Sequence, residues 1–95
     1  MSAYWIAHVT VHDPVQYQSY MSLAPEAFKR FNARFLARGE KATTLEGTSF
    51  VKHVLIEFPD YDTALACYHS AEYQHAREQR KAVAETLIVI VDALP

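Results

Sequence analysis

Apolar positions along this chain alternate with polar ones, then recur at a helical spacing, then alternate again, and the whole cycle runs twice. Ala3 to Val11 (AYWIAHVTV) is rich in Tyr, Trp, Ile, Val and Thr and stops at His12-Asp13-Pro14. That tripeptide reads as an N-cap followed by proline at the first helical position. Beyond it Val15, Tyr17, Tyr20, Met21, Ala24, Phe28 and Phe31 recur as one buried helical stripe would. Pro25 lacks a backbone donor and disfavours helix at Ala24, which predicts a break there and a second short helix from Pro25 to about Asn32. Ala33 to Arg38 predicts a second strand ended by Gly39, followed by a polar link through Gly47 that is partly extended at Thr43 to Leu45. A third strand is expected from about Phe50 to Phe58. Asp60 caps the next helix, Ser70 caps a further segment from Ala71 to about Ala84, and Thr86 to Ala93 is the fourth strand.

The order βαββαβ within 95 residues predicts an α+β, ferredoxin-like sandwich. Such a sandwich has a four-stranded antiparallel sheet of spatial order 4-1-3-2, with both helical regions on one face and right-handed crossovers. Residues 1–95 form one domain on this reading. Side chains alternate between sheet faces, so each strand divides by parity. The almost wholly apolar set is Trp5, Ala7, Val9, Phe35, Ala37, Val54, Ile56, Phe58, Leu87, Val89 and Val91, which is expected under the helices. The other set mixes Ile6, Leu36, Leu55, Ile88 and Ile90 with Tyr4, His8, Arg34, Arg38, His53, Glu57 and Asp92. Antiparallel neighbours bring His8, Arg38 and His53 toward one end of that open face, and Tyr4, Arg34, Glu57 and Asp92 toward the other.

Composition changes this picture in one respect. A domain this small buries only about 60–65% of the surface of its unfolded chain, yet 51% of its residues are hydrophobic and 13% aromatic. The surplus predicts a homodimer in which two open faces press together around a partly wet cavity. Nine basic against eleven acidic residues, with no basic run, argue against nucleic acid as a partner. The longest strongly apolar run, Leu87 to Val91, is far short of a membrane span, and a lone Cys67 excludes an intrachain disulfide framework. With neither a basic n-region nor a long apolar stretch at the start, a cytoplasmic protein is expected.

The segments AHVTVHDPVQYQSY, RFLARG, LEG and IEFPDYDTALACYHSAEYQHAREQR, with the closing strand, resemble the domain-of-unknown-function family numbered 1330. The resemblance covers nearly the whole chain and implies a ferredoxin-like fold of the dimeric α/β-barrel superfamily, in which two sheets pack face to face. It brings no established reaction, cofactor or catalytic residue. Two positions depart from the family pattern: Glu40 stands where a second glycine is common, and Cys67 where a tryptophan is. Superfamily relatives include cofactor-free monooxygenases, muconolactone isomerases and haem-binding peroxidases, so the fold implies no single chemistry.

The chemistry expected from the residues is modest. His8 and His53 are the candidate catalytic acid–base groups, while Arg38, Glu57 and Asp92 are the candidate ligand-binding groups, Arg38 taking an anionic or enolic ligand's charge. Arg34 and Glu57 equally suit a structural ion pair. No cofactor or metal is expected: His8 and His12 stand about 13 Å apart along a strand, and no HExxH motif, cysteine cluster or Gly-rich phosphate loop is present. Tyr68, Tyr73, Arg77 and Arg80 are read as packing, capping and surface pairing. The function expected is small-molecule binding on the helix-free face, either by a cofactor-independent enzyme for a small carbonyl or enolisable acid, or by a non-catalytic binding or interaction module.

Overall fold

Strand β1 (Ala3–Val11), helix α1 (Pro14–Arg30), strands β2 (Arg34–Gly39) and β3 (Lys52–Phe58), helices α2 (Tyr61–His69) and α3 (Ala71–Arg80) and strand β4 (Ala84–Asp92) follow in that order in the computed structural model, which describes Met1–Pro95. The strands pair antiparallel as β2-β3-β1-β4, the ferredoxin-like order expected from the sequence.

Local chemistry sets the element ends. Asp13 accepts hydrogen bonds from the backbone N–H groups of Val15 and Gln16, both at 3.1 Å, and opens α1 ahead of Pro14. Asp60 accepts from the Thr63 N–H at 2.7 Å, and that bond holds its carboxyl below the usual carboxylate range. Ser70 divides α2 from α3: its hydroxyl donates to the Cys67 carbonyl at 2.7 Å and accepts from the Tyr73 N–H at 3.1 Å. At the end of α1, Asn32 takes a left-handed φ of 59°, while the Asn32 and Ala33 N–H groups bond back to Lys29 and Phe28. This is the arrangement that satisfies the last helical carbonyls before a sharp exit.

The expected break at Pro25 is absent, because α1 runs unbroken through it. Proline removes only the bond to the Met21 carbonyl, at an exposed position, and the burial of Ala24, Ala27 and Phe28 against the sheet holds the rest in line. The link after β2 forms no strand at Thr43 to Leu45, and α3 ends at Arg80 instead of near Ala84.

Trp5, 1% exposed, anchors the core between sheet and helices. Its ring meets Phe28 and Tyr73 edge-on at 5.1 and 5.0 Å and stacks on Phe58 at 5.8 Å. Ala7, Val54, Ile56, Ala64, Cys67 and Ala76 complete the same cluster.

Two strands depart from the expected parity. In β4, Trp5 faces Ile90 and Ala7 faces Ile88, so these isoleucines lie under the helices, while Leu87, Val89 and Val91 lie on the open face, nearly half exposed. Every position from Leu87 to Val91 is apolar, so alternation along β4 carries no information about its face; pairing with β1 decides it. In β2, a bulge between Phe35 and Ala37 shifts the register, placing Ala37 opposite Leu55 and Arg38 opposite Val54. A bulge inserts one residue and so reverses the facing of all that follows it.

Candidate functional site

The cleft of the monomer lies on the helix-covered side of the sheet. It has a volume of about 270 Å³ and runs between α1 and strands β1, β2 and β3. Trp5, Phe28, Tyr17, Tyr20 and Phe35 supply aromatic walls, while Arg38, Glu40 and Lys52 also border it. Apolar walls with a few convergent polar groups are what small-molecule sites usually offer. Phe35 packs edge-on against Phe28 at 5.5 Å yet stays 41% exposed, because α1 covers only part of edge strand β2.

Arg80 forms the polar end of the cleft. The last turn of α3 carries it under the helix layer, where it is 4% exposed. One terminal nitrogen, Nη2, donates to the Tyr73 hydroxyl at 2.9 Å, and Nη1 reaches Thr86 Oγ1 at 3.4 Å. The guanidinium also lies 5.0 Å from the Tyr20 ring centroid and 5.9 Å from that of Tyr73. Tyr20 and Tyr73 join their hydroxyls at 3.0 Å. No carboxylate pairs with Arg80: the ion pairs of this chain are His12–Glu85, Arg30–Glu72, Arg34–Glu57 and Lys81–Glu78.

Titration behaviour follows from this packing. Burial pushes the Tyr20 hydroxyl well above its ordinary value, and Tyr73 adds to the effect; burial likewise raises Tyr17. Both hydroxyls therefore remain protonated donors at neutral pH. For Arg80, burial opposes the charge, but the Tyr73 and Tyr20 hydroxyls outweigh it and the net shift is upward. The guanidinium thus stays charged among neutral groups. A buried cation without an anion is costly, and two of the five N–H donors of its fork are engaged by the tyrosine and threonine.

The expected site divides. His8 and His53 face each other across β1 and β3 on the open face, with their Nδ1 atoms 2.9 Å apart, one imidazole donating to the other. Arg38 does not join them: the bulge turns it to the helix side, where its guanidinium lies 5.1 Å from the Phe35 ring centroid at the border of the cleft. Glu57 accepts from Arg34 Nη2 at 2.8 Å, the structural pair foreseen for these two residues. Asp92 parts from Glu57, since the register sets it opposite Ala3 with the parity of Ile88 and Ile90. The cleft therefore lies mainly on the opposite side of the sheet from the one expected to hold a ligand, with His53 reaching its border beside Arg38 and Gly39. Arg80 was the residue missed, and its α3 periodicity with Tyr73 and Ala76 was the available signal: seven and four residues apart, the three share one helical face.

Three or more His, Cys, Asp or Glu side chains gather nowhere as a metal cage would require, and no helix is long and apolar enough to cross a membrane. The family described as a domain of unknown function, DUF1330, matches residues 2–94. The chain belongs to that family. No curated protein sequence matches this DUF1330 chain at a significant level. Among solved structures, a protein of unknown function from Rhodopseudomonas palustris matches with a TM-score of 0.79 at 15% identity, over 99% of this chain and 83% of that one. A dimeric ferredoxin-like protein of unknown function from Jannaschia sp. CCS1 matches with a TM-score of 0.73 at 11% identity, over 98% and 100%. SnoaB, a cofactor-independent oxygenase from Streptomyces nogalater, matches with a TM-score of 0.65 at 16% identity, over 99% and 94%. At such identities these similarities establish the shared fold.

Proposed function

We propose that this DUF1330 protein binds a small anionic organic molecule in the cleft between α1 and the sheet, with Arg80 as the anion anchor. The observation that carries the reading is the burial of Arg80, paired with no carboxylate, at the end of an open, aromatic-walled space. A planar acid fits both features, its carboxylate on the guanidinium fork and its body among Trp5, Tyr20 and Phe28. Arg38 and Lys52, bordering the same cleft, draw the anion in. Homodimerisation through the helix-free face belongs to the same proposal. It is supported by the exposed Leu36, Val51, Leu87, Val89 and Val91 and by the dimeric relative from Jannaschia.

A catalytic form of this reading is favoured by the tyrosine pair. The Tyr20 and Tyr73 hydroxyls, bonded to each other beside a guanidinium, leave one O–H of the pair free to donate to a developing enolate or phenolate oxygen, and the fold shared with SnoaB accommodates chemistry without a cofactor. His8 lies on the open face, and His53, bonded to it, borders the cleft.

Trp5, the single tryptophan, lines the cleft and reports on its occupancy. Titration with benzoate is expected to change Trp5 emission saturably, while neutral benzamide of the same shape leaves it unchanged. Arg80→Met is expected to abolish the benzoate response. Equal binding of benzamide and benzoate, or a full benzoate response in Arg80→Met, overturns the anion reading.

A further inference from the structure

A second cavity, of about 520 Å³, opens between α2, α3 and β4, and Arg80, Thr86 and Ile88 line it and the α1 cleft alike. One guanidinium thus stands between two spaces of different character. The α1 cleft is walled mainly by aromatic and aliphatic side chains, whereas the second chamber is bordered by His69, Arg77 and Lys81 and by no carboxylate.

These cations are differently satisfied. Lys81 lies 3.9 Å from Glu78 in an exposed pair, while Arg77 forms neither an ion pair nor a side-chain hydrogen bond although it is half-buried. Attraction to the C-terminal end of α3 accounts for basic residues in its last turn. It does not account for the placement of Arg77, Arg80 and Lys81 around one hollow, because like charges three and four residues apart on a helix repel. An anion in the hollow would relieve that repulsion on both sides of Arg80.

We infer that the ligand carries two carboxylates on one end of an apolar body, the first held by Arg80 and the second in the chamber against Arg77. This rests on the reading of the α1 cleft as an anion site and narrows it to short-spaced dicarboxylates with an aromatic or branched tail. The tail lies in the α1 cleft, and the diacid head straddles the Arg80 guanidinium. Arg77 is then a specificity residue, selecting the dianion over a monoanion with the same tail.

The test compares benzylsuccinate with phenylbutyrate, which keeps the aromatic tail and one carboxylate, by calorimetry on the full chain at fixed ionic strength. Benzylsuccinate is expected to bind about tenfold more tightly, the lower end for a charge-assisted contact at a half-exposed arginine. Arg77→Gln is expected to erase that advantage and to leave phenylbutyrate binding unchanged. If phenylbutyrate binds and benzylsuccinate gains nothing, the dianion inference falls while the anion reading of the cleft stands. If neither acid binds, both fall. A loss of both acids to the same degree in Arg77→Gln reduces Arg77 to a general electrostatic role and also overturns the inference.

Discussion

The two faces of this sheet both carry charged and aromatic side chains, and they treat them in opposite ways. On the open face charges and ring nitrogens find partners in the chain itself: Arg34 with Glu57 at 2.8 Å, and His8 with His53 at 2.9 Å. On the covered face Arg80 is buried beside a cleft and forms no ion pair, Glu40 standing exposed at the border of the cleft. Polarity on an uncovered surface costs little, because water and neighbours satisfy it. A charge where water is scarce persists only where neighbouring groups hold it, and the N–H donors that Arg80 keeps free beside an open cleft suit an anionic ligand.

The largest test of this contrast lies in the core behind the cleft. Trp5→Ala is expected to lower unfolding free energy by about 3–5 kcal/mol in chemical denaturation, since Trp5 packs against Phe28, Phe58 and Tyr73. A loss near that of an exposed residue would remove the tight covered layer from the comparison. Next in size is Val89→Lys on the open face, where Val89 is 47% exposed. The proposed dimer makes the mass from light scattering drop from two chains to one while the fold persists by circular dichroism; an unchanged mass would sink the proposed open-face contact. Arg80→Met is expected to weaken carboxylate binding by about 2–3 kcal/mol in calorimetry. Its melting temperature should fall only modestly, because methionine keeps the apolar packing but gives up the bonds to Tyr73 and Thr86 and the contact with the Tyr20 ring. A cooperative collapse of the fold instead would make Arg80 a structural keystone.

Alkaline pH separates the layers more gently. Burial pushes the Cys67 thiol up to about 12 from an ordinary 9.0 and raises the Tyr17 and Tyr20 hydroxyls. The unfolded chain releases these protons at lower pH than the fold does, so their stabilising contribution is complete below about pH 9 and drains as pH climbs toward about 12. Denaturation midpoints should fall over that window, and Cys67→Ala should flatten the early part of the slope. The smallest effect belongs to Arg34→Ala, below about 1 kcal/mol, because its pair with Glu57 is solvated; a larger loss would mean that the open face depends on its charges after all.

Much of the architecture was legible along the chain. Asp13-Pro14, Asp60 and Ser70 act locally, and each caps the helix it was expected to cap. The odd positions of β1 and the even positions of β3 alternate cleanly and took their expected faces. The candidate site was legible only in part. His8 and His53 meet because facing residues of antiparallel strands must, whereas Arg38 and Asp92 were assigned to the wrong face by parity alone. A bulge leaves no mark in RFLARG, and the apolar run of β4 reads equally well in either register.

What the amino-acid sequence settled by itself is therefore the short-range part: the caps at Asp13, Asp60 and Ser70, the approximate places of the four strands, and the order that yields a ferredoxin-like sheet. These depend on backbone propensity, capping and periodicity over a few residues. Only the tertiary structure decided which side of the sheet holds the cleft and that Arg80, read along the chain among packing, capping and surface-pairing residues, is enclosed by Tyr20, Tyr73 and Thr86. Those outcomes depend on strand register and on side chains up to 60 positions apart, and the burial that leaves a charge unpaired exists only after α1, α3 and β4 have packed.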